Sequence, residues 1–314
     1  MKNNGNPPQI KDNRTTLVPV KCGKCMECKK QNARGWQIRL HEEIRNSQNC
    51  LFVTLSFSDK SLLKLGNIIT ETTGIKEGYL LDNAIAKLAV RRFLERWRKK
   101  YKTSIRHWLV TELGQNNTER LHIHGLLLTN KSKETIQQKW EYGNVWIGDY
   151  VTERTINYIV KYIYKPDPKH KYYSPIILCS PGLGKNYINR HDSKINKFSK
   201  SETNETYTTR QGLKLSLPIY YRNKIYTDEE REKLWIQKLD KEERWINGHK
   251  IDISKDDTIY NSALEEARRV NRLLGYDDDT VNWDRKEYEN KRRQLKKEKQ
   301  YAKLNKKKNE ENSF

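Results

Sequence analysis

The chain has 314 residues, 35% hydrophobic and 32% charged, with a formal net charge of +22. Its mean hydropathy is −1.01, and no apolar run approaches the roughly 20 residues needed to span a bilayer. The opening MKNNGNPPQIKDNRTTLVPV lacks the apolar centre of a secretory signal, so the expectation is a soluble, intracellular protein with no membrane partner.

The final 29 residues, from Lys286, hold 11 Lys+Arg and 5 Glu, which contributes +6 and leaves +16 for residues 1–285. Basicity therefore runs through the whole chain, and a field of that size favours a polyanion, nucleic acid above all. Five cysteines, an odd number without a signal peptide, argue against a disulfide framework.

In chain order, residues 1–20 are polar and expected to be irregular. Trp36, Leu40 and Ile44, four apart, predict a helix after the cysteine cluster. CLFVTLSFS (50–58) reads as a buried strand. From Asp82, an expected N-cap, Ile85, Ala89, Phe93 and Trp97 form the apolar stripe of a basic helix. IRHWLVTELG (105–114) and RLHIHGLLLT (120–129) read as strands joined by the turn-rich QNNTE. Ser132 caps a short helix to Trp140, NVWIG (144–148) is a further strand, and Thr152 caps a helix that Pro166 ends. Residues 166–226 give no clear pattern. Thr227 and Glu230 form a capping box before a helix to about Leu239, SALEEARRVNRLLG predicts another, and the tail from residue 291 is either a basic helix or disordered.

The order β-α-β-β-α-β plus one more helix predicts an α+β fold of the split βαβ, ferredoxin-like kind, an antiparallel sheet covered by helices. Three divisions are expected: an irregular segment 1–20, a main domain 21–226, and a basic, charged helical extension 227–314.

A strand over RLHIHGLLL places His122 and His124 on one face, about 7 Å apart, with Ile123 on the other. If residue 112 pairs with residue 122, Glu112 joins them; a one-residue slip sends it to the wrong side. Two imidazoles and a carboxylate suit a divalent ion that keeps positions open for a substrate oxygen. The competing reading is packed, hydrogen-bonded core histidines.

In YIVKYIYK (158–165), Ile156, Ile159, Val160 and Ile163 share one side of a helix, and Tyr158, Lys161, Tyr162 and Lys165 lie nearly opposite. An exposed Tyr/Lys face is the plain reading. The chemical one is a pair of phenol nucleophiles, with Lys161 and Lys165 stabilising charge on an attacked phosphodiester. If the tyrosines face the sheet, the isoleucine stripe needs a third layer, which residues 166–240 are expected to supply.

Cys22, Cys25 and Cys28 are compact enough to wrap one structural zinc ion, with Cys50 or His41 as candidates for a fourth ligand; reduced thiols packed at a helix start are the alternative. SPGLGKNY lacks the Walker spacing and reads as a turn, so no ATPase is expected.

The VTLSF-type first strand, the His-hydrophobic-His strand and the Tyr-x-x-Lys helix, in that order, resemble the HUH endonucleases of rolling-circle replication. CGKCMECKKQNARGWQIRLHEE, QQKWEYGNVWIGDY and the doubled YIVKYIYK narrow this to a resemblance to the replication initiators of microviruses, phages with circular single-stranded DNA. It covers about residues 20–226. It implies a DNA nickase and strand-joining enzyme with an RRM-like HUH core: His122 and His124 as metal ligands, Glu112 as a third, Tyr158 and Tyr162 as nucleophiles, and Lys161 and Lys165 as the motif lysines. It further implies Mg²⁺ or Mn²⁺, single-stranded or supercoiled circular phage DNA as substrate, a host helicase and DNA polymerase as partners, and the host bacterial cytoplasm as location. Two alternatives stay open: a non-catalytic nucleic-acid-binding packaging or scaffolding protein, and a relaxase or transposase on the same core.

Overall fold

The computed structural model describes residues 12–16, 21–45, 47, 49–75, 77–115, 119–148, 150–167, 169, 170 and 173–276. The chain divides into two units, Met1–Asp277 and Asp278–Phe314, and every described residue belongs to the first. The basic tail lies outside the described residues, as does most of the segment 1–20 and the middle of the QNNTE turn.

The fold is α+β. Helix α1 (Met26–Arg45) precedes strand β1 (Cys50–Ser56), helices α2 (Asp59–Thr73) and α3 (Gly78–Tyr101), and strands β2 (Arg106–Leu113) and β3 (Leu121–Leu128). Helix α4 (Lys133–Trp140), strand β4 (Val145–Gly148), the short helices α5 (Glu153–Ile159) and α6 (Lys161–Tyr164) and strand β5 (Ile177–Cys179) follow. The five strands form one antiparallel sheet in the order β4-β1-β3-β2-β5.

Alternation along the strands sorts the core onto two faces. Odd-numbered Val53, Leu55, Leu109, Leu113, Ile123 and Leu127 bury against α2, α3 and α4, where Ile85, Ala89, Phe93 and Trp97 supply the predicted stripe. Even-numbered Trp108, Val110 and Leu126 pack on the opposite face with Ala33 and Leu40 of α1 and with Ile156, Ile159, Val160 and Ile163 of α5 and α6. Each such buried aliphatic side chain contributes on the order of 2 kcal/mol. The layer needed by the isoleucine stripe is thus supplied by the sheet itself together with α1. From the later segment only Leu183, Ile177 and Cys179 join this cluster.

Three expectations need correction. The tyrosine helix is two pieces, α5 and α6, joined at Val160, where Ile163 N–H bonds the Val160 carbonyl three residues back. It ends at Tyr164, because Lys165 before Pro166 is extended (φ −64°, ψ 124°). Asp82 is not an N-cap; α3 begins a turn earlier, after Glu77, as Tyr79 and Leu81 pack on the core.

The remainder comprises the hairpin of β6 (Thr206–Thr208) and β7 (Lys214–Ser216), helices α7 (Ile219–Ile225) and α8 (Asp228–Asp240), a second hairpin of β8 (Glu243–Ile246) and β9 (His249–Asp252), and helix α9 (Thr258–Leu273). Ile38, Tyr187, Tyr207, Tyr221 and Leu234 form a third cluster beside α1. Glu42, fully buried there, accepts from Arg190 Nη1 at 2.7 Å and Tyr207 Oη at 2.6 Å.

Candidate active site

Glu112 pairs with His122 and Val110 with His124 across β2 and β3, while Thr54 and Ser56 of β1 oppose His124 and His122 on the other side. This register places Glu112, His122, His124 and Thr54 on one sheet face, the face that α5 and α6 approach.

His124 is the hub. Its Nε2 lies 2.7 Å from Glu112 Oε2 and its Nδ1 lies 3.0 Å from Thr54 Oγ1. Two partners at the two nitrogens hold the ring in plane, and a neutral imidazole donates to only one of them. The Tyr162 ring stacks on it, centroids 4.8 Å apart and 9° from parallel. Phe52 lies 6.5 Å away at 16°, and His122 at 6.3 Å and 23°. Tyr162 Oη donates to Tyr158 Oη at 2.7 Å, and Tyr158 meets the edge of Phe52 at 6.2 Å. The half-turn break at Val160 lets the two phenols meet while Ile159 and Ile163 remain buried.

Burial pushes the Tyr162 phenol far above the ordinary phenol range, reinforced by the Tyr158 hydrogen bond and the Glu112 carboxylate. Burial also holds His122 below the usual imidazole value, with His124 and Arg120 acting in the same direction against its hydrogen bond to the Arg120 backbone and the Glu112 charge. A low value keeps His122 in the neutral, ligating form near pH 7. Tyr158 is 47% exposed. Lys161 and Lys165 are exposed, and the Lys161 ammonium sits 5.9 Å from the Tyr158 ring centre.

The donor set of two imidazoles and a carboxylate fits a divalent cation of the Mg²⁺ or Mn²⁺ kind. His124 Nε2 and Glu112 Oε2 already meet at one spot, with His122 standing farther off. Among the described residues, ligand atoms gather within 4.8 Å of one another at Cys22, Cys25 and Cys28 alone. That cluster can bind a metal such as zinc, and neither Cys50 nor His41 joins it.

The sequence pattern did not reveal a cleft of about 940 Å³ between the first half of α1, the β7–α7 segment and the β8–β9 turn. Trp36, Tyr220 and Trp245 line it together with Lys30, Arg39 and Lys214. The Arg39 guanidinium lies 4.0 Å from the Trp36 ring and 3.9 Å from the Tyr220 ring. These residues come from three distant segments, so no local pattern joins them. Thr54 and Phe52 were also missed, since the side chains flanking His124 are fixed by register.

An antiparallel sheet presenting a carboxylate–imidazole pair beneath two hydrogen-bonded phenols defines a class of protein that binds or processes a phosphate ester. A family model for the replication-associated protein ORF2 matches residues 50–167, which run from β1 through α6. No curated protein and no solved structure matches the chain. The match supports a protein of the replication-initiator type. No helix among the described residues is long and apolar enough to cross a membrane.

Proposed function

We propose that the chain is a rolling-circle replication initiator that nicks single-stranded origin DNA and rejoins it through a 5′-phosphotyrosine. One observation carries the reading: Tyr162 stacks on His124 while its hydroxyl bonds Tyr158, so both phenols meet the imidazole–carboxylate pair. The strand order β4-β1-β3-β2, with the histidine strand central, supports the ferredoxin-like, RRM-like HUH core.

In the proposed reaction one tyrosine Oη attacks the scissile phosphorus, its proton leaves to solvent or a nearby base, and the bond to the departing 3′-oxygen breaks, leaving a 3′-hydroxyl. The phosphotyrosine ester conserves the bond energy, and a returning 3′-hydroxyl reverses the step. A second phenol within hydrogen-bond reach allows a second transfer while the first still holds an end. Lys161 and Lys165 contribute positive charge beside the attacked phosphate. His122, His124 and Glu112 would hold Mg²⁺ or Mn²⁺, which polarises a phosphoryl oxygen when bound.

The basic, aromatic cleft beside α1 supports a path for single-stranded DNA, with bases stacking on Trp36, Tyr220 and Trp245 and lysines on the phosphates. Circular phage DNA in the host bacterial cytoplasm, with a host helicase and polymerase extending the nick, is the proposed setting.

The test is a nicking assay on a labelled oligonucleotide from the cognate circle. A protein–DNA adduct that needs divalent metal, and disappears in Tyr158→Phe/Tyr162→Phe, is expected. If the double variant still forms the adduct, the tyrosine assignment fails. A His122→Ala protein should bind DNA and not cut it; cutting at the original rate would remove His122 from the site, and no cutting by the unaltered protein in any metal would leave a nucleic-acid-binding role.

A further inference from the structure

We propose that Cys22, Cys25 and Cys28 bind one zinc ion that fixes the start of α1 and, through α9, anchors the end of the tyrosine helix. Cys22 and Cys25 precede α1, and Cys28 lies in its first turn. The sulfurs of Cys22 and Cys28 are 3.7 Å apart. Two thiolates on a tetrahedral zinc, each bond about 2.3 Å, sit about 3.8 Å apart, so the pair already spans one edge of the coordination polyhedron.

The backbone is arranged to hold charged sulfur. Cys25 N–H points at Cys22 Sγ at 3.3 Å, and Cys28 N–H at Cys25 Sγ at 3.5 Å. The positive end of α1 adds to the same field. All five cysteines are free thiols. Thiolate softness selects zinc over magnesium or manganese, so this site does not compete for the ion proposed at His122 and His124.

Every cysteine and histidine of the chain is among the described residues, and none joins the three as a fourth ligand. The remaining position is assigned to water. Three thiolates on Zn²⁺ leave one net negative charge, which Lys21, Lys24, Lys29 and Lys30 of the same stretch offset.

A relay of contacts leads from this knot to the tyrosines. Met26 N–H donates to Asn271 Oδ1 at 2.9 Å, and the Asn271 carbonyl accepts from Tyr276 N–H at 2.8 Å. Tyr276 Oη donates to the Tyr164 carbonyl at 2.7 Å, and the Lys29 ammonium sits 5.6 Å from the Tyr276 ring centre. Asn271 and Tyr276 are both buried. Tyr164 is the last residue of α6, two positions after Tyr162. A metal that fixes α1 at Met26 therefore holds the helix that carries the phenols.

The test uses the full chain, purified without chelator. Elemental analysis should find one zinc per chain, and cobalt exchanged into the site should show the charge-transfer absorption of a cobalt thiolate. Cys25→Ser should lower both. Should a cysteine variant fail to fold, the cobalt spectrum of the unaltered protein decides alone: metal-free protein without a thiolate band overturns the site. Hydrogen exchange addresses the relay. Removing zinc should speed exchange at the Met26 and Lys165 amides while the β3 amides stay protected, and Tyr276→Phe should speed Lys165 alone with zinc retained. Unchanged α6 exchange on zinc loss would refute the anchoring role. None of these readouts depends on DNA cleavage.

Discussion

Tyr162 and Tyr158 occupy unequal environments, and that inequality orders their work. Tyr162 lies on His124 beside Glu112, whereas Tyr158 sits farther out, against Phe52 and under Lys161. Tyr162→Phe is therefore expected to remove the first cleavage, by on the order of a thousandfold or more. Tyr158→Phe should still nick yet fail to transfer the strand, leaving a stable adduct on a gel. Glu112 adds a second, sign-determined prediction. Its carboxylate helps to raise the Tyr162 phenol, so Glu112→Gln should lower that value in metal-free protein, read as tyrosinate absorbance appearing at lower pH. Parity made part of this legible: the 112–122 pairing follows from the strand pattern, and with it the shared face. What sequence could not supply was Thr54 at His124 Nδ1, because cross-strand neighbours depend on which strand lies next to β3.

At the level of elements, the caps spoke most clearly. Ser132, Thr152 and Thr227 each accept the bond from the backbone N–H three residues on, as their positions ahead of apolar runs predict. Helix α2 went unread although Ser58 caps it and Gly74 ends it in the left-handed region (φ 74°), because its apolar stripe buries only Leu65 and Ile69 fully. The β8–β9 hairpin also went unread, and its Asn247–Gly248 turn (φ 51° and 88°) is the strongest short signal such a hairpin has. Gly125, directly after His124, carries a different message. A Cβ there would lie 2.0 Å from the Trp108 carbonyl oxygen and 2.8 Å from Leu109 Cα, so the two strands approach too closely for any side chain. Gly125→Ala must push β2 off β3, and a loss of about 1–3 kcal/mol is expected in denaturant unfolding. Since the same strands carry Glu112 and His124, the variant should also lose metal affinity; equal affinity would show that the register tolerates the shift.

For the whole molecule the governing quantity is charge, and its sign predicts two dependences. The net +22 makes DNA binding salt-sensitive. Lys30 and Lys214 line the cleft, and replacing both with Gln should flatten the log–log salt slope for single-stranded DNA by about 1.4, roughly 0.7 for each phosphate no longer neutralised. Weaker binding with no change in slope would place the strand elsewhere. The second dependence comes from His170, buried between two acids. Its Nδ1 is 2.6 Å from Asp167 Oδ2, and its Nε2 forms an ion pair with Glu119 Oε2 at 3.1 Å. Burial alone lowers the imidazole value, but the two carboxylates outweigh it and the net shift is upward. The folded value therefore exceeds the unfolded one of about 6.5. Protonated His170 stabilises the chain fully below about pH 6.5, and that contribution is lost as pH rises through the raised folded value. Asp82 also feels this cation, which partly offsets the upward push of burial on its carboxyl. The contact ties the turn after the tyrosine helix to residue 119, two positions before β3. Thermal unfolding should thus occur at lower temperature at pH 8.5 than at pH 6, and Asp167→Asn, which removes the nearer carboxylate, should shrink that difference. A melting temperature equally pH-dependent in the variant would assign the effect to groups other than His170.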